Sequence, residues 1–389
     1  MKAERIFAII AAVYLLVFFA HAVAIGKTVY GDGVYYFAWL RSIVVDGDVH
    51  FANDYGFLGV TQPTTSMWLP RNMYSIGPAL LWLPNYFMAH RVLGVAGLPA
   101  QSGLPAGRQG YDLPHQLVVG ATSVLFAITG LILLFRLLSA YVTERISLWV
   151  TIAIAFTTNL FFYGSVDPAN SHAVSFFAAT ALLSLLLARS KSWTAIGVFL
   201  ALLGLIRTQD LFLGILILPF INQKAIVPLF TGFFIAFFPQ LYLWHLFYGT
   251  WGISPYFAEG QGFINLLHPQ VLDVLVGAHS GLFLWTPTVA LAFVGLIMLS
   301  ENLRRFRTIF LTVFLGELYL VAGWWDPGQG GSYSGRMFIS VLPILAFGLA
   351  QLFRRLGKHR LFARYLGMVI VVPLAIINAL LILTYLVAS

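Results

Sequence analysis

Long apolar runs separated by short polar segments dominate the chain. Many of these runs approach the roughly 17–25 residues that a helix needs to cross a hydrocarbon core about 30 Å thick. Strand-type alternation of apolar and polar residues is absent, and only helices or closed barrels satisfy the backbone in lipid. The pattern predicts an all-α polytopic membrane protein with candidate spans at 6–26, 75–95, 115–138, 147–163, 171–188, 193–206, 211–222, 226–248, 282–300, 308–323, 338–353 and 363–387.

The composition agrees with this prediction. The chain is 60% hydrophobic and 9% charged, whereas soluble domains carry about 25% charged residues. Its formal net charge of +8 comes from basic residues in short loops, which is typical of cytoplasmic loops and does not require a nucleic-acid partner. The absence of cysteine excludes disulfides and thiolate metal sites.

The basic residues also predict the orientation of the chain. Lys2 and Arg5 precede the first apolar run and favour an internal N-terminus that acts as an uncleaved signal anchor. Eight candidate spans precede the polar segment 249–281, but an internal N-terminus requires an odd number there. Segment 75–95, which contains Pro78 and Pro84, is therefore predicted to be re-entrant, and about eleven spans remain. The external segments are then 27–74, 164–170, 207–210, 249–281 and 324–337.

One integral membrane domain is predicted over residues 1–389, with no separate soluble domain. The Gly- and Pro-rich region 96–114 is predicted to be a mobile loop within it. The domain divides into an N-terminal helical module of catalytic type, 6–248 with external loop 27–74, and C-terminal helices, 249–389 with external loops 249–281 and 324–337.

The first external segment concentrates carboxylates. Asp32, Asp46, Asp48 and Asp54 are four of only 14 acidic residues in the chain, and acids near a bilayer are costly unless they are functional or solvated. The apolar spacing after Asp32 predicts a short amphipathic helix in the membrane interface, anchored by Tyr and Trp. Asp32 is the candidate active-site carboxylate, or alternatively only the cap of that helix. The other three acids are expected to cap turns or stay solvated.

Further polar residues reach the same external side. Asp167, in Asp167-Pro168, supplies a second carboxylate, or alternatively a helix cap. Arg71, Arg207 and Arg336 are candidate phosphate ligands, because arginine binds phosphate in a planar, bidentate fashion. For Arg207, at the tip of a predicted helical hairpin, the alternative is an ion pair with Asp210.

Two external loops add binding chemistry. The Gly-rich loop 324–336 can bring backbone N–H groups close to an anion, although its tryptophans could instead form an interfacial belt. The loop 249–281 combines aromatic rings with carboxylates, including Glu259, which suits a sugar or alternatively an ordinary interfacial loop. His172 and His279 lack zinc-ligand spacing, and no nucleotide-binding or zinc-protease motif is present.

Together these motifs resemble the GT-C superfamily of membrane glycosyltransferases, and the similarity extends over nearly the whole chain. It is greatest to bacterial relatives of the protein O-mannosyltransferases and of the lipid A aminoarabinose transferase. The chain departs from the family pattern at Gly33, where the family often has a second acid. The matching positions are Gly31-Asp32, Tyr36, Asp167-Pro168, Arg207 and the loop from Trp324 to Arg336, with Arg71 ahead of Gly77-Pro78 a looser match.

The resemblance implies transfer of a sugar from a polyprenyl-phosphate donor to a lipid, glycan or protein acceptor, with inversion at the anomeric carbon. It implies a multi-pass protein of the cytoplasmic (inner) membrane whose site faces the periplasm. No cofactor is expected; a divalent metal is possible but not indicated. Asp32 would be the general base and Asp167 a second catalytic acid, and the expected substrate-binding residues are Tyr36, Arg71, His172, Arg207, His279 and Arg336.

Two other functions fit an apolar chain of this kind. A transporter or flippase for a lipid-linked or anionic substrate would carry paired repeats with broken helices at the membrane midplane, and no such repeat is visible in the sequence. A non-catalytic membrane scaffold would not need Asp32, Asp167 and Arg336 to converge on one face.

Overall fold

The computed structural model describes residues 3–95, 110–252, 255–258, 260–358, 365 and 367–388. Most of the loop predicted at 96–114, and Glu259, lie outside the described residues. The described residues form helices and turns without a strand, and one isolated bridge joins Thr64 and Pro70.

The α-helices vary from single turns to long rods. They are α1 (Ala3–Ile25), α2 (Gly33–Arg41), α3 (Ala52–Leu58), α4 (Gly77–Val95), α5 (Leu113–Ser139), α6 (Glu144–Thr157), α7 (His172–Leu187), α8 (Trp193–Ile206), α9 (Gln223–Tyr248), α10 (Pro255–Ala258), α11 (Val271–Val276), α12 (Leu282–Trp285), α13 (Pro287–Ile297), α14 (Arg307–Ala322), α15 (Leu342–Leu356) and α16 (Val372–Ala388).

Shorter helical segments of other geometry connect them. The 3₁₀ segments are Thr208–Ile217, Glu301–Phe306, Gln329–Gly331 and Arg336–Val341, and the π segments are Ser42–Asp46, Phe162–Val166 and Gly367–Val371.

Within the described part of the chain, five helical stretches are long and apolar enough to cross a membrane. Large apolar side chains on their outer faces, such as Val23, Leu380 and Val387, are exposed, as expected of surfaces that contact lipid. The helix content and these apolar helices confirm the prediction of an all-α membrane protein. The number of spans and the re-entrant course of α4 stay predictions. The five stretches are Ala3–Ile25, Leu113–Ser139, Gln223–Tyr248, Arg336–Leu356 and Gly367–Ala388.

Polar residues in the sequence set where several of these helices begin. The side chains of Asp112, Thr143, Ser192 and Asn222 accept hydrogen bonds from backbone N–H groups in the first turns of α5, α6, α8 and α9. Such caps satisfy N–H groups that have no partner within the helix. The predicted run 193–206 therefore matches α8 at both ends.

Helices α8 and α9 approach each other closely, and their sequence explains it. A Cβ built at Gly197 or Gly232 would overlap the backbone of the facing helix. Small residues at such positions let two helix backbones approach closely, which is how helices pack when lipid offers no hydrophobic drive. This pair supports the hairpin tip at Arg207, where the backbone turns from α8 into the segment Thr208–Ile217.

Helix α2 forms at the predicted place but not in the predicted environment. Apart from Tyr35, which is partly exposed, its residues are buried beneath α3, α4 and the polypeptide between them. Trp39, expected as an interfacial anchor, is 2% exposed and donates its indole N–H to the carbonyl of Tyr74. The prediction of an amphipathic helix with an exposed Trp anchor is therefore wrong, because the rest of the loop folds over it. Its position at the membrane interface stays a prediction.

The other carboxylates of this loop are mostly structural. Asp46 pairs with Arg41, which also lies 3.7 Å from Asp54. Asp54 is fully buried and accepts a hydrogen bond from Tyr111, and burial raises its pKa to about 6. The expectation that these acids cap turns or stay solvated is right for Asp48, which caps the turn at His50 N, and wrong for Asp54.

Candidate active site

A cavity of about 670 Å³ opens where five distant parts of the chain meet. These are the start of α2 with residues 74–75, the start of α7, the hairpin tip after α8, the segment around α10, and the end of α14 with the loop 324–337. Five of the eight residues that the sequence predicts as site residues line this cavity, namely Asp32, Tyr36, His172, Arg207 and Arg336.

Asp32 occupies the N-cap position of α2, but its side chain makes no capping hydrogen bond. Instead, Oδ1 accepts a 2.8 Å hydrogen bond from the hydroxyl of Tyr74, and Oδ2 forms a 2.7 Å ion pair with the guanidinium of Arg336. The carboxylate is 28% exposed. The interpretation of Asp32 as only a helix cap is therefore wrong, and its side chain is directed to the cavity wall.

Tyr74 is the partner that the sequence did not reveal. Its ring stacks on Tyr35 with centroids 4.7 Å apart, and its backbone N–H is held by the side chain of Asn72. Burial raises the pKa of Tyr74 well above its usual range, and the charge of Asp32 raises it further. The phenol therefore stays protonated and donates to Asp32. Nothing in the sequence distinguishes Tyr74 from the other 16 tyrosines of the chain.

Arg336 follows a loop with unusual backbone geometry. Gln329 and Ser334 have φ angles of +56° and +54°, a region that residues with side chains rarely adopt. Two backbone N–H groups near the cavity are already engaged, because Gly330 donates to Asp326 and Met337 donates to Gln329. The loop thus supplies the side chain of Arg336 to the cavity, while these two amides are not available for an anion.

Arg207 is positioned by neutral groups. Its guanidinium lies 3.1 Å from Nδ1 of His172 and donates a 2.9 Å hydrogen bond to Gln209, which in turn donates to Glu317. The alternative of an ion pair with Asp210 is wrong, since Asp210 instead accepts a hydrogen bond from Ser175. Within the described residues, Arg207 makes no ion pair within 4.0 Å.

Asp167 lies behind the cavity and does not line it. Its Oδ1 atom is buried without a hydrogen-bond partner among the described residues. Burial raises the pKa of Asp167 to about 7, an effect that the charge of Asp32 increases and that Asn170 and Arg336 oppose. It does not cap α7, whose first N–H is bound by Asn170. Asp167 and Asp32 are therefore electrostatic neighbours without sharing the cavity surface.

The structure places two predicted binding residues elsewhere. The guanidinium of Arg71 donates hydrogen bonds to Gln62 at 3.1 and 2.9 Å, outside the cavity lining. His279 is exposed in the turn after α11 and also lies outside the lining. The sequence placed both on the relevant segments, but it does not determine the direction in which a loop side chain points.

The remaining cavity walls differ in chemistry. One wall is aromatic: the ring centroid of Tyr256 lies 6.3 Å from that of Tyr74 and 5.4 Å from that of Trp324. Burial raises the pKa of Tyr36, in the same wall, to about 12. A second group of lining residues is apolar and forms an apolar wall, which includes Phe212, Ile215, Leu320 and Met337.

This arrangement combines two carboxylates, Asp32 and Asp326, with two guanidiniums, aromatic rings and apolar side chains around one space. It can hold an anion, pack a ring and accept a proton from a hydroxyl. Within the described residues no three His, Asp or Glu side chains are placed to hold a metal ion. No known family model matches the sequence, and a search of curated proteins finds no significant match.

Proposed function

We propose that the protein is a membrane glycosyltransferase of the GT-C type, which moves a sugar from a polyprenyl-phosphate donor to an acceptor hydroxyl. The observation that carries this proposal is that Asp32, Arg207 and Arg336 line one cavity that also has an apolar wall. A proton acceptor and two phosphate ligands are the groups that this reaction needs, and an apolar wall suits a lipid-linked donor.

The proposed donor fits the chemistry of the walls. Its phosphate would bind Arg207 and Arg336, because guanidinium groups make charge-assisted, bidentate contacts with phosphate oxygens. Its isoprenyl chain would lie along Phe212, Ile215 and Leu320 and continue into the membrane. Its sugar would pack on the aromatic wall near Tyr256. Because two cations balance the charge of the phosphate, this scheme requires no metal.

In the proposed reaction, Asp32 accepts the proton of the acceptor hydroxyl as its oxygen attacks the anomeric carbon. The new C–O bond forms while the bond from that carbon to the phosphate oxygen breaks, so the configuration inverts. The polyprenyl phosphate leaves with the bonding electron pair, and Arg207 and Arg336 stabilise its developing charge. Asp167, which lies behind the cavity, would act through the field at Arg336 and not by contact with substrate.

The same proposal includes the finer features of the fold. About eleven spans, a re-entrant α4 and a site at the external face of the inner membrane follow from the basic loops and from the resemblance. The site loops would then meet lipid-linked donors whose phosphates lie at the external interface.

The proposal is tested with purified protein in lipid nanodiscs. The protein is incubated with polyprenyl-phosphate hexoses and pentoses and with membrane extract as the source of acceptor, and released polyprenyl phosphate is measured by mass spectrometry. We expect release from at least one donor, reduced about 10²–10⁴-fold in Asp32→Asn because the general base is lost. Asp48→Asn, which changes an acid of the same loop outside the cavity, should retain activity.

Equal release by folded wild-type protein and Asp32→Asn would contradict the general-base role. Movement of an intact sugar lipid across the bilayer of proteoliposomes, without its cleavage, would instead favour the transporter alternative.

A further inference from the structure

Both oxygens of the Asp32 carboxylate already have partners in this structure. Tyr74 donates to Oδ1 at 2.8 Å, and Arg336 is paired with Oδ2 at 2.7 Å. An acceptor hydroxyl must also hydrogen-bond to this carboxylate to lose its proton, and it then shares the two oxygens with these two donors. The structure therefore shows the proposed base engaged by the same arginine that the proposed donor needs.

The two cavity arginines are not equivalent in this respect. Arg207 is held by neutral groups, His172 and Gln209, and no carboxylate of the described residues lies within ion-pair distance of it. Arg336 is neutralised by Asp32. An entering anion is consequently attracted first by Arg207, whose guanidinium is not paired with a carboxylate of the described residues. It then meets Arg336 as a guanidinium that already has a counter-ion.

We propose that Arg336 exchanges partners: the phosphodiester of a bound donor draws its guanidinium away from Asp32, so that the carboxylate is released to the acceptor only when donor is present. This inference rests on the proposed function and adds an order of binding, donor before acceptor. It also makes Arg336 a positioning residue for the base as well as a phosphate ligand.

The backbone at Arg336 is held in place, so the side chain of Arg336 can move while its Cα stays fixed. The N–H of Met337 is held by Gln329, and the segment Arg336–Val341 leads directly into α15. The side chain of Arg336 is 21% exposed and lines the cavity. A change of rotamer can therefore carry it from Asp32 towards an anion held by Arg207 without a rearrangement of the loop.

The exchange is energetically feasible because similar interactions replace one another. An arginine–carboxylate pair and an arginine–phosphate pair are both charge-assisted and both suit a bidentate geometry. Breaking the first pair still reduces the apparent affinity for the anion. Removal of the Asp32 charge should therefore strengthen anion binding, and it should do so only through Arg336.

The test is a double-mutant cycle on anion binding. The probe is citronellyl methyl phosphate, a short isoprenyl phosphodiester that has one negative charge and no sugar, and its affinity is measured by calorimetry with protein in nanodiscs. We expect Asp32→Asn to bind the probe about 10-fold more tightly, which corresponds to about 1.4 kcal/mol. In the Arg336→Gln background the same Asp32→Asn change should leave the affinity unchanged, which gives a coupling term of that size.

Asp167→Asn is the matched control, because it removes a neighbouring carboxyl group that makes no ion pair with the described residues. It should alter the affinity less than Asp32→Asn does. If Arg336→Gln does not fold, Arg336→Lys replaces it, and Asp32→Asn should then still tighten binding because the cation is retained. A gain in affinity that persists in the Arg336→Gln background would mean simple charge repulsion and would overturn the exchange.

The binding test separates this inference from the proposed function. If sugar transfer depends on Asp32 but Asp32→Asn leaves probe affinity unchanged, the exchange is wrong and the glycosyltransferase proposal stands. If the cycle shows the coupling but no donor is consumed, the exchange stands and the proposed reaction is wrong. A wild-type protein that does not bind the phosphodiester would overturn both.

Discussion

The first residue of α2, Gly33, packs directly against the carbonyl oxygen of Ala169, and a Cβ built at position 33 would overlap that oxygen. This contact joins the first external loop to the turn before α7. It brings Asp32 and Asp167, which flank the contact, into electrostatic reach of each other. It also gives a physical reason for glycine where the GT-C resemblance leads one to expect a second acid, because no side chain fits there.

Gly33→Ala should destabilise the protein. The added methyl group forces the start of α2 away from Ala169, and overpacking of this kind costs about 1–3 kcal/mol. Thermal unfolding in detergent should show a lower midpoint for this variant. Gly56→Ala, in α3 where a Cβ meets open space, should leave the midpoint unchanged or raise it, since alanine favours helix. Equal midpoints for Gly33→Ala and wild type would contradict the close contact.

Tyr74→Phe should slow the proposed sugar transfer while leaving binding of the proposed donor intact. The variant keeps the ring but loses the hydroxyl that orients Oδ1 of Asp32, and a hydrogen bond to a charged group contributes about 1.5–3 kcal/mol. We expect kcat to fall about 10- to 100-fold with little change in KM for the donor, measured by polyprenyl phosphate release. Tyr35→Phe is the control, because its hydroxyl binds Gln62 and not Asp32. Similar losses in both variants would argue for a general packing effect.

Arg207→Gln should weaken binding of the citronellyl methyl phosphate probe. Arg207 lines the cavity, and loss of its charge-assisted hydrogen bonds should raise the Kd about 10- to 100-fold, given about 1.5–3 kcal/mol for such bonds. Arg71→Gln provides the comparison, since Arg71 binds Gln62 outside the cavity and its loss should change the Kd little. A larger effect from Arg71→Gln than from Arg207→Gln would place the anion elsewhere.

Asp167 should make stability depend on pH with a defined sign. Burial raises its pKa from 3.8 to about 7, so between these values the folded protein keeps a proton that the unfolded chain has lost. The contribution of this group to the free energy of unfolding therefore falls as the pH rises from about 4 to about 7. Asp167→Asn removes the titrating group and avoids this loss.

The measurement compares the unfolding midpoints of wild type and Asp167→Asn at pH 5 and pH 8 in the same detergent. The variant should gain stability relative to wild type at pH 8, and gain less at pH 5. A difference that is constant across this range, or larger at pH 5, would show that Asp167 is not held with a raised pKa.

Much of the fold follows from local sequence. The limits of α8 agree with the apolar run 193–206, because Ser192 caps its start and the polar tip at Arg207 ends it. The position of α2 follows likewise from the spacing of apolar residues after Asp32. The burial of α2 does not follow from the local sequence, because it depends on residues 51–58 and 77–95, which fold over the helix.

The sequence alone determined the class of this protein, because hydropathy and charge along the chain are local properties and a lipid-embedded backbone has few solutions other than helices. It also identified Asp32, Arg207 and Arg336 as polar residues on segments that could meet. Only the tertiary structure decided that Tyr74 and Arg336 hold the Asp32 carboxylate, and that Arg71 and His279 lie away from the cavity. Such pairings join segments that are far apart in the chain. They depend on how the helices pack and on the direction in which the loop side chains point.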